Sequence, residues 1–211
     1  MSSARTPLLV VPTGAANLAA VFACFRRFGA EPVLSSHPER IATAERVILP
    51  GVGAFGPART ALAESGADAA LVARIEADRP TLGICLGMHL LSEGSDEAPG
   101  DDAGCGGGGL AVLPGRATRF TGDVRIPQMG WNRVSAPGSG MLTTGDAYFA
   151  NSFRIAVPEQ PDRWTMATTD HGGPFLSAAE RGRTLVCQFH PELSGRWGAA
   201  LMERWYEGGA C

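Results

Sequence analysis

Short apolar runs alternate with helix-like patterns along the first half of the chain. Four runs are typical of strands buried on both faces, at residues 8–11, 32–34, 46–49 and 81–84. Apolar residues recur at helical spacing from Leu18 to Phe28 and predict a helix that Gly29 ends.

Two more helical patterns complete this half. Residues 60–78 are alanine-rich and periodic, with a break predicted near Gly66, and residues 86–93 continue as a helix directly after the fourth strand. Strands and helices alternating at this spacing predict an α/β fold, with a mostly parallel central sheet and helices on both faces.

The second half has shorter apolar stretches separated by turn residues. They predict strands at 110–113, 148–150, 164–169, 175–179 and 184–189, which we expect to form an antiparallel extension of the sheet. A last helix, 195–206, carries Trp197, Leu201 and Trp205 on one face. The glycine-rich stretch 99–109 is predicted to be a surface loop. Without a repeat or a separating linker, we expect one domain over residues 1–211.

Composition excludes several classes of protein. The 211 residues carry 18 Lys+Arg and 21 Asp+Glu, a net charge of -3, which gives no electrostatic footprint for nucleic acid or an anionic membrane. The apolar run 8–11 is too short for a signal-peptide core or a membrane span, so we expect a cytoplasmic protein. The five cysteines are odd in number and lack C-x-x-C spacing, which argues against a disulfide framework and a zinc site.

The segment Gly83-Ile84-Cys85-Leu86-Gly87 lies between a predicted strand and a predicted helix. It has the form of a nucleophile elbow with cysteine in place of serine. The following helix directs its free N–H groups at the sulfur, which favours the reactive thiolate. The alternative is that Cys85 is a small buried apolar residue, the usual role of a free cysteine.

A thiolate that attacks an acyl group needs a base and an orienting acid. His190 and Glu192 follow the apolar run 184–187, and residues two apart in an extended chain point the same way. Each has an ordinary structural alternative, as a packed strand-end histidine and a solvated carboxylate. Together with the elbow cysteine, however, they predict a Cys85–His190–Glu192 triad.

With these motifs the chain resembles the class I (triad) glutamine amidotransferases, which have a flavodoxin-like fold. Further matching segments are 49–55, 113–116, 129–132 and 192–195. They are similar to the HisH-type glutaminase subunits of imidazole glycerol phosphate synthase. The resemblance runs from about Gly14 to Trp205.

The resemblance implies a role for each matching residue. Cys85 is expected to be the nucleophile, His190 the general base and acid, and Glu192 its orienting carboxylate. Backbone N–H groups of the segment Gly51-Val52-Gly53 and of Leu86 are expected to hold the oxyanion. The implied substrate-binding residues are His89, Glu97, Ser152 and Phe153, and the implied partner-interface residues are Gln128, Trp131 and Asn132.

The resemblance also implies the reaction and its participants. L-Glutamine is hydrolysed to glutamate and ammonia without a metal or organic cofactor. The ammonia passes to a (β/α)₈-barrel cyclase subunit in a heterodimer, which forms imidazole glycerol phosphate and an aminoimidazole carboxamide ribotide in histidine biosynthesis.

The sequence departs from the family pattern near the expected site. His89 replaces a glutamine, and Gln128 and Asn151 stand where histidine is common. The N-terminal family pattern Asp-Tyr-Gly-x-Gly-Asn also differs here, at residues 12–17. Three alternatives stay open: a paralogous glutaminase that serves another synthase, a non-catalytic scaffold subunit, and a cysteine hydrolase of unrelated substrate.

Overall fold

The computed structural model describes residues 7–14, 17–97, 107–161 and 163–208. Twelve strands lie in these ranges: β1 (Pro7–Val10), β2 (Glu31–Leu34), β3 (Arg46–Leu49), β4 (Thr81–Ile84), β5 (Gly94–Ser95), β6 (Arg116–Arg119), β7 (Gln128–Val134), β8 (Gly145–Asn151), β9 (Phe153–Ile155), β10 (Thr165–Asp170), β11 (Pro174–Arg181) and β12 (Thr184–Cys187). The helices are α1 (Leu18–Arg27), α2 (Pro38–Thr43), α3 (Phe55–Ser65), α4 (Ala67–Glu76), α5 (Leu86–Leu91) and α6 (Gly195–Glu207), with a 3₁₀ turn at Pro191–Leu193.

The core of the fold is a parallel sheet in the order β2-β1-β3-β4-β12. This is the strand order of flavodoxin-like folds, so the predicted fold class is confirmed. β12 pairs directly with β4, with Cys187 opposite Ile84. Because parallel strands end at the same sheet edge, the residues that follow β4 and β12 are brought together there.

Side chains on the parallel strands alternate between two apolar layers. Leu8 and Val10 pack on the side of α1 and α6, whereas Leu9 and Val11 pack on the side of α2 to α5. The two helices of the first layer meet at Phe25 and Trp205, whose rings lie edge to face at 5.9 Å. The sheet is therefore covered on both faces, as predicted.

The predicted break in the alanine-rich helical region is confirmed at Gly66. This residue ends α3 and begins α4 with φ 70°, a left-handed conformation that glycine adopts without a Cβ clash. The region starts earlier than predicted, because α3 already begins at Phe55.

The second half extends the sheet with antiparallel strands. β11 pairs antiparallel with β12, β10 and β9, and β9 pairs antiparallel with β6. A separate two-stranded sheet joins β7 and β8, with Trp131 opposite Tyr148. The antiparallel extension is thus confirmed, although β6, β7 and β9 were not predicted.

The predicted strand at 110–113 is wrong. The N–H of Leu110 donates to the carbonyl of Leu90, and those of Val112 and Leu113 donate to that of Leu91. The segment is apolar because it covers the carboxyl end of α5, where helix carbonyls lack partners within the helix.

Two other predicted bounds are too long, since β12 ends at Cys187 and α5 at Leu91. Most of the predicted loop 99–109, with Cys105, lies outside the described residues.

Candidate active site

Cys85 lies at the sharp turn between β4 and α5. Its φ of 52° and ψ of -107° are strained for a residue with a side chain, and such strain is concentrated at functional sites. The turn needs glycine at position 87, because a Cβ there would collide with the backbone carbonyl of Leu49. The nucleophile-elbow geometry that the sequence predicts is present.

Two polar contacts of Cys85 involve the end of the neighbouring strand β12 and the residue that follows it. The Cys85 N–H donates to the Cys187 carbonyl at 2.7 Å, and the Cys85 Sγ accepts from the Gln188 Nε2 at 3.6 Å. The cysteine is 8% exposed.

His190 and Glu192 form a buried pair next to Cys85. The His190 Nδ1 and the Glu192 Oε1 are 2.9 Å apart, and both side chains are almost completely buried. Burial alone lowers the pKa of His190, but hydrogen bonds to Cys85 and Glu192 outweigh it and raise this pKa to about 10. The imidazole is therefore protonated at neutral pH, beside a sulfur that can carry the opposite charge.

Backbone contacts fix His190 to the β7–β8 sheet. Its N–H donates to the Tyr148 carbonyl at 2.9 Å, and its carbonyl accepts from the Ser194 Oγ at 2.7 Å. The Ser194 Oγ in turn accepts from the Tyr148 N–H at 2.9 Å. This closed set of bonds orients the ring that faces the sulfur.

The other described cysteines do not share these features. Burial raises the pKa of the thiols of Cys24 and Cys187, which keeps both protonated. Cys105 and Cys211 lie outside the described residues.

A pocket of about 180 Å³ opens above the sulfur. Besides Cys85, its lining includes most of the predicted oxyanion and substrate residues, namely Val52, Gly53, Leu86, His89, Glu97, Ser152 and Phe153. Ala150 and Asn151 complete the lining. The structure therefore brings together residues from four separate segments of the chain.

One expected oxyanion donor, the N–H of Leu86, is not free in this conformation. The Leu86 N–H donates to the Gly51 carbonyl at 3.3 Å. A Cβ on Gly51 would lie 2.8 Å from the Leu86 Cβ, so the two segments approach too closely for any other residue. A reorientation of the peptide after Gly51 would remove that carbonyl and free the Leu86 N–H.

Two predicted substrate residues also have contacts within the protein. The Glu97 Oε2 accepts from the Phe55 N–H at 3.1 Å, at the first turn of α3. The His89 Nε2 is 2.6 Å from the Gln188 Oε1, and burial lowers the pKa of this histidine, so it is neutral. Both side chains still border the pocket.

The predicted interface residues lie on different faces of the β7–β8 sheet. Trp131 is 60% exposed and its ring lies edge to face with that of Tyr148. The Asn132 Nδ2 donates to the Asp170 carbonyl at 2.8 Å. Gln128 is buried, and neither polar atom of its amide has a partner in the described part of the chain. Gln128 is thus not on the exposed face with Trp131.

Gln188 is the site residue that the sequence reasoning missed. It precedes His190 by two positions, the same spacing that linked His190 to Glu192, and this was the available signal. Its amide contacts both the Cys85 Sγ and the His89 ring.

No cluster of three or more His, Cys, Asp or Glu side chains suited to a metal ion occurs within the ranges that the structure covers. No helix in these ranges is both long and apolar enough to cross a membrane.

Residues 9–206 match the family described as Glutamine amidotransferase class-I. A HisH subunit of imidazole glycerol phosphate synthase from Symbiobacterium thermophilum is 39% identical over 204 residues, covering 94% of this chain and 92% of the relative. The chain belongs to the class I glutamine amidotransferases, and within them to the HisH family.

Other relatives support the same family assignment. The HisH subunit from Mycolicibacterium paratuberculosis is 36% identical, covering 95% of this chain and 97% of the relative. A chloroplastic protein from Arabidopsis thaliana named imidazole glycerol phosphate synthase hisHF is 34% identical, covering 96% of this chain and 34% of the relative. A solved structure titled as a glutamine amidotransferase superposes with a TM-score of 0.72 at 18% identity, covering 94% of this chain and 97% of that one, which supports the fold.

Proposed function

We propose that this chain hydrolyses L-glutamine through Cys85, His190 and Glu192 and supplies the ammonia to a cyclase subunit of imidazole glycerol phosphate synthase. The observation that carries the proposal is the strained elbow cysteine beside the buried His190–Glu192 pair, at the floor of a pocket. The HisH relatives, matched over nearly their full length, support the choice of synthase.

The reaction begins with attack of the Cys85 thiolate on the side-chain amide carbon of glutamine. The C–S bond forms, and the carbonyl electron pair moves to oxygen to give an oxyanion. The N–H groups of Leu86 and of the segment Gly51-Val52-Gly53 hold this charge once the Gly51 carbonyl has moved away. Donors that are aimed at a developing oxyanion are among the largest contributions to such catalysis.

His190 moves the protons in both halves of the reaction. Its imidazolium protonates the amide nitrogen, ammonia leaves as the carbonyl re-forms, and a γ-glutamyl thioester remains on Cys85. The neutral ring then takes a proton from water, which attacks the thioester and releases glutamate and the thiolate. Glu192 accepts from the Nδ1–H and stabilises the imidazolium without transferring a proton.

The pocket lining suggests how glutamine is held. Glu97 carries the charge that a substrate α-ammonium needs, and Ser152 and Phe153, which line the same pocket, are assigned to the end of the substrate that carries the α-carboxylate. His89 lines the pocket, and because its Nε2 is engaged by Gln188, only its Nδ1 is left to contact substrate. These roles complete the substrate-binding set that the resemblance implies.

The exposed face of the β7–β8 sheet is the proposed docking site for the barrel cyclase in a heterodimer. Trp131 and Met129 are 60% and 58% exposed, more than the other large apolar side chains of the described residues. Tryptophan is a frequent binding hot spot. We further propose a cytoplasmic location and a single domain over residues 1–211.

Reconstitution with the barrel cyclase of the same organism tests the proposal. The complex should form glutamate from glutamine together with imidazole glycerol phosphate. Glutamate without synthase product would favour a paralogue that serves another synthase, and no glutamate at all would favour the scaffold subunit.

A further inference from the structure

Gln188 lies between Cys85, the candidate nucleophile, and His89, which replaces the glutamine of the family pattern. It is completely buried, directly after β12, and its backbone N–H donates to the Ser177 carbonyl at 2.8 Å. Its side-chain amide spans from the Cys85 Sγ, at 3.6 Å from Nε2, to the His89 Nε2, at 2.6 Å from Oε1. Both atoms that it contacts belong to side chains that are at least nine-tenths buried.

The chemistry of these groups fixes which end of the amide faces the sulfur. A thiolate has no proton to donate, so it is stabilised by an N–H and repelled by a carbonyl oxygen. The Nε2 of Gln188 must therefore face Cys85, and its Oε1 must face His89.

The same reasoning fixes the tautomer of His89. A carbonyl oxygen only accepts, so the His89 Nε2 must carry a hydrogen. Burial lowers the pKa of this ring, so it holds a single hydrogen and its Nδ1 is unprotonated.

We propose that Gln188 is a positioning residue for the nucleophile, which donates a hydrogen bond to the Cys85 thiolate and is held in the donating orientation by the Nε2–H of His89. This inference rests on the proposed role of Cys85. It gives His89 a function besides lining the pocket: the imidazole selects the orientation of the amide that supports the thiolate.

The first experiment measures the rate at which iodoacetamide alkylates Cys85 in the full chain, as a function of pH, in Gln188→Met and in the original protein. Methionine keeps the length of the side chain and removes the donor. The midpoint of the alkylation profile should shift to higher pH, and kcat in the cyclase complex should fall roughly 10- to 100-fold with KM for glutamine little changed. Ser177→Ala, which removes a neighbouring buried hydroxyl without a partner, is the matched control.

Besides His89, the titratable groups near the sulfur are His190, Glu192 behind it, Cys187, and Glu97 in the same pocket, and all are kept in these variants. A purely structural role for Gln188 would lower the thermal stability without moving the alkylation midpoint. A folded Gln188→Met protein with an unchanged midpoint and an unchanged kcat would overturn the proposal.

A pair of His89 variants gives an independent answer if Gln188→Met does not fold. His89→Gln can still donate to the Gln188 Oε1 and should keep the alkylation midpoint, whereas His89→Leu cannot and should reproduce the Gln188→Met shift. Equal midpoints in the two variants would contradict the proposal. Nitrogen NMR of labelled histidine in the original protein should show His89 protonated at Nε2, and a proton on Nδ1 alone would also contradict it.

Failure of this inference is distinguishable from failure of the proposed function. If Cys85→Ser abolishes glutamine hydrolysis while Gln188→Met behaves like the original protein, only the role of Gln188 is wrong. If Cys85→Ser retains hydrolysis, the nucleophile itself is wrong.

Discussion

Two opposing influences act on the imidazole of His190. Burial disfavours the charged form of the ring, whereas the contacts with Cys85 and Glu192 favour it. The contacts have the larger effect, so the pKa of His190 is raised to about 10. In the proposed mechanism this protonated ring donates a proton to the amide nitrogen as ammonia leaves, a step that a neutral imidazole could not perform.

This balance predicts a lower pKa for His190 in Cys85→Ala. The substitution removes the contact with sulfur and leaves the burial, so the ring should lose its proton at a lower pH than in the original protein. Carbon and nitrogen NMR of labelled histidine measures both titrations. His89, held neutral by burial, is the internal control. Superimposable His190 titrations in the two proteins would show that the sulfur does not stabilise the imidazolium.

The two members of the buried pair should differ in their importance for turnover. His190→Ala removes the group that transfers protons and should lower kcat by roughly 10⁴-fold. Glu192→Gln keeps a hydrogen-bond acceptor near the Nδ1 and should retain more activity. Steady-state glutamate release from the cyclase complex gives both values. Greater damage from Glu192→Gln than from His190→Ala would mean that the proton-transfer roles are assigned wrongly.

At the scale of elements, the junction of β4, β3 and α5 sets the position of the nucleophile. Gly87 lies against the Leu49 carbonyl at the end of β3, and Gly83 packs with Leu91 and Val186. Strands on both sides thus hold the elbow in place. The packing of the complete sheet is what offsets the strain in its backbone.

Gly87→Ala should destabilise the fold because the new methyl group collides with backbone, which cannot rotate away. We expect a loss of about 3 kcal/mol in the free energy of unfolding, measured by urea denaturation. Gly122→Ala is the matched control: its added Cβ meets nothing within 4 Å, and φ 89° leaves only backbone strain of about 1 kcal/mol. Equal losses in the two variants would show that the elbow tolerates a side chain at position 87.

The parallel half of the fold could be predicted from the sequence, whereas the antiparallel half could be predicted only in part. β1, β3 and β4 are buried on both faces, which leaves continuous apolar runs. β7 instead has an exposed face that carries Met129 and Trp131, so its pattern does not resemble that of a buried strand.

The site was predictable to a similar extent. The sequence singled out Cys85 and His190 because each follows an apolar strand within a short motif. The contact between the Leu86 N–H and the Gly51 carbonyl, and the bridge made by Gln188, join segments that are distant in sequence. Only the folded chain shows them.

At the scale of the whole molecule, the blocked oxyanion site predicts dependence on a partner. With the Leu86 N–H bonded to Gly51, the isolated chain should hydrolyse glutamine slowly. Complex formation with the cyclase should raise kcat by roughly 10²- to 10³-fold, the value of one oxyanion donor. Glutamate release with and without the cyclase measures this. Full activity of the isolated chain would mean that the Gly51 peptide reorients without a partner.

The exposed indole on β7 predicts where that partner binds. Trp131→Ala should weaken the complex with the cyclase by about 2 kcal/mol, roughly 30-fold in Kd, as measured by calorimetry. Leu34→Ala, at an exposed apolar residue on β2, is the control and should leave Kd unchanged. Equal Kd values for Trp131→Ala and the original protein would place the interface elsewhere.

The most direct test compares two nitrogen sources in the complex of Cys85→Ser with the barrel cyclase. Serine keeps the size of the side chain and lacks the thiolate, so glutamine-dependent formation of imidazole glycerol phosphate should fall by roughly 10⁴-fold or more. Formation of the same product from added ammonium salt should continue at the rate of the original complex, because the cyclase is unchanged. Retention of glutamine-dependent synthesis by Cys85→Ser would contradict the account.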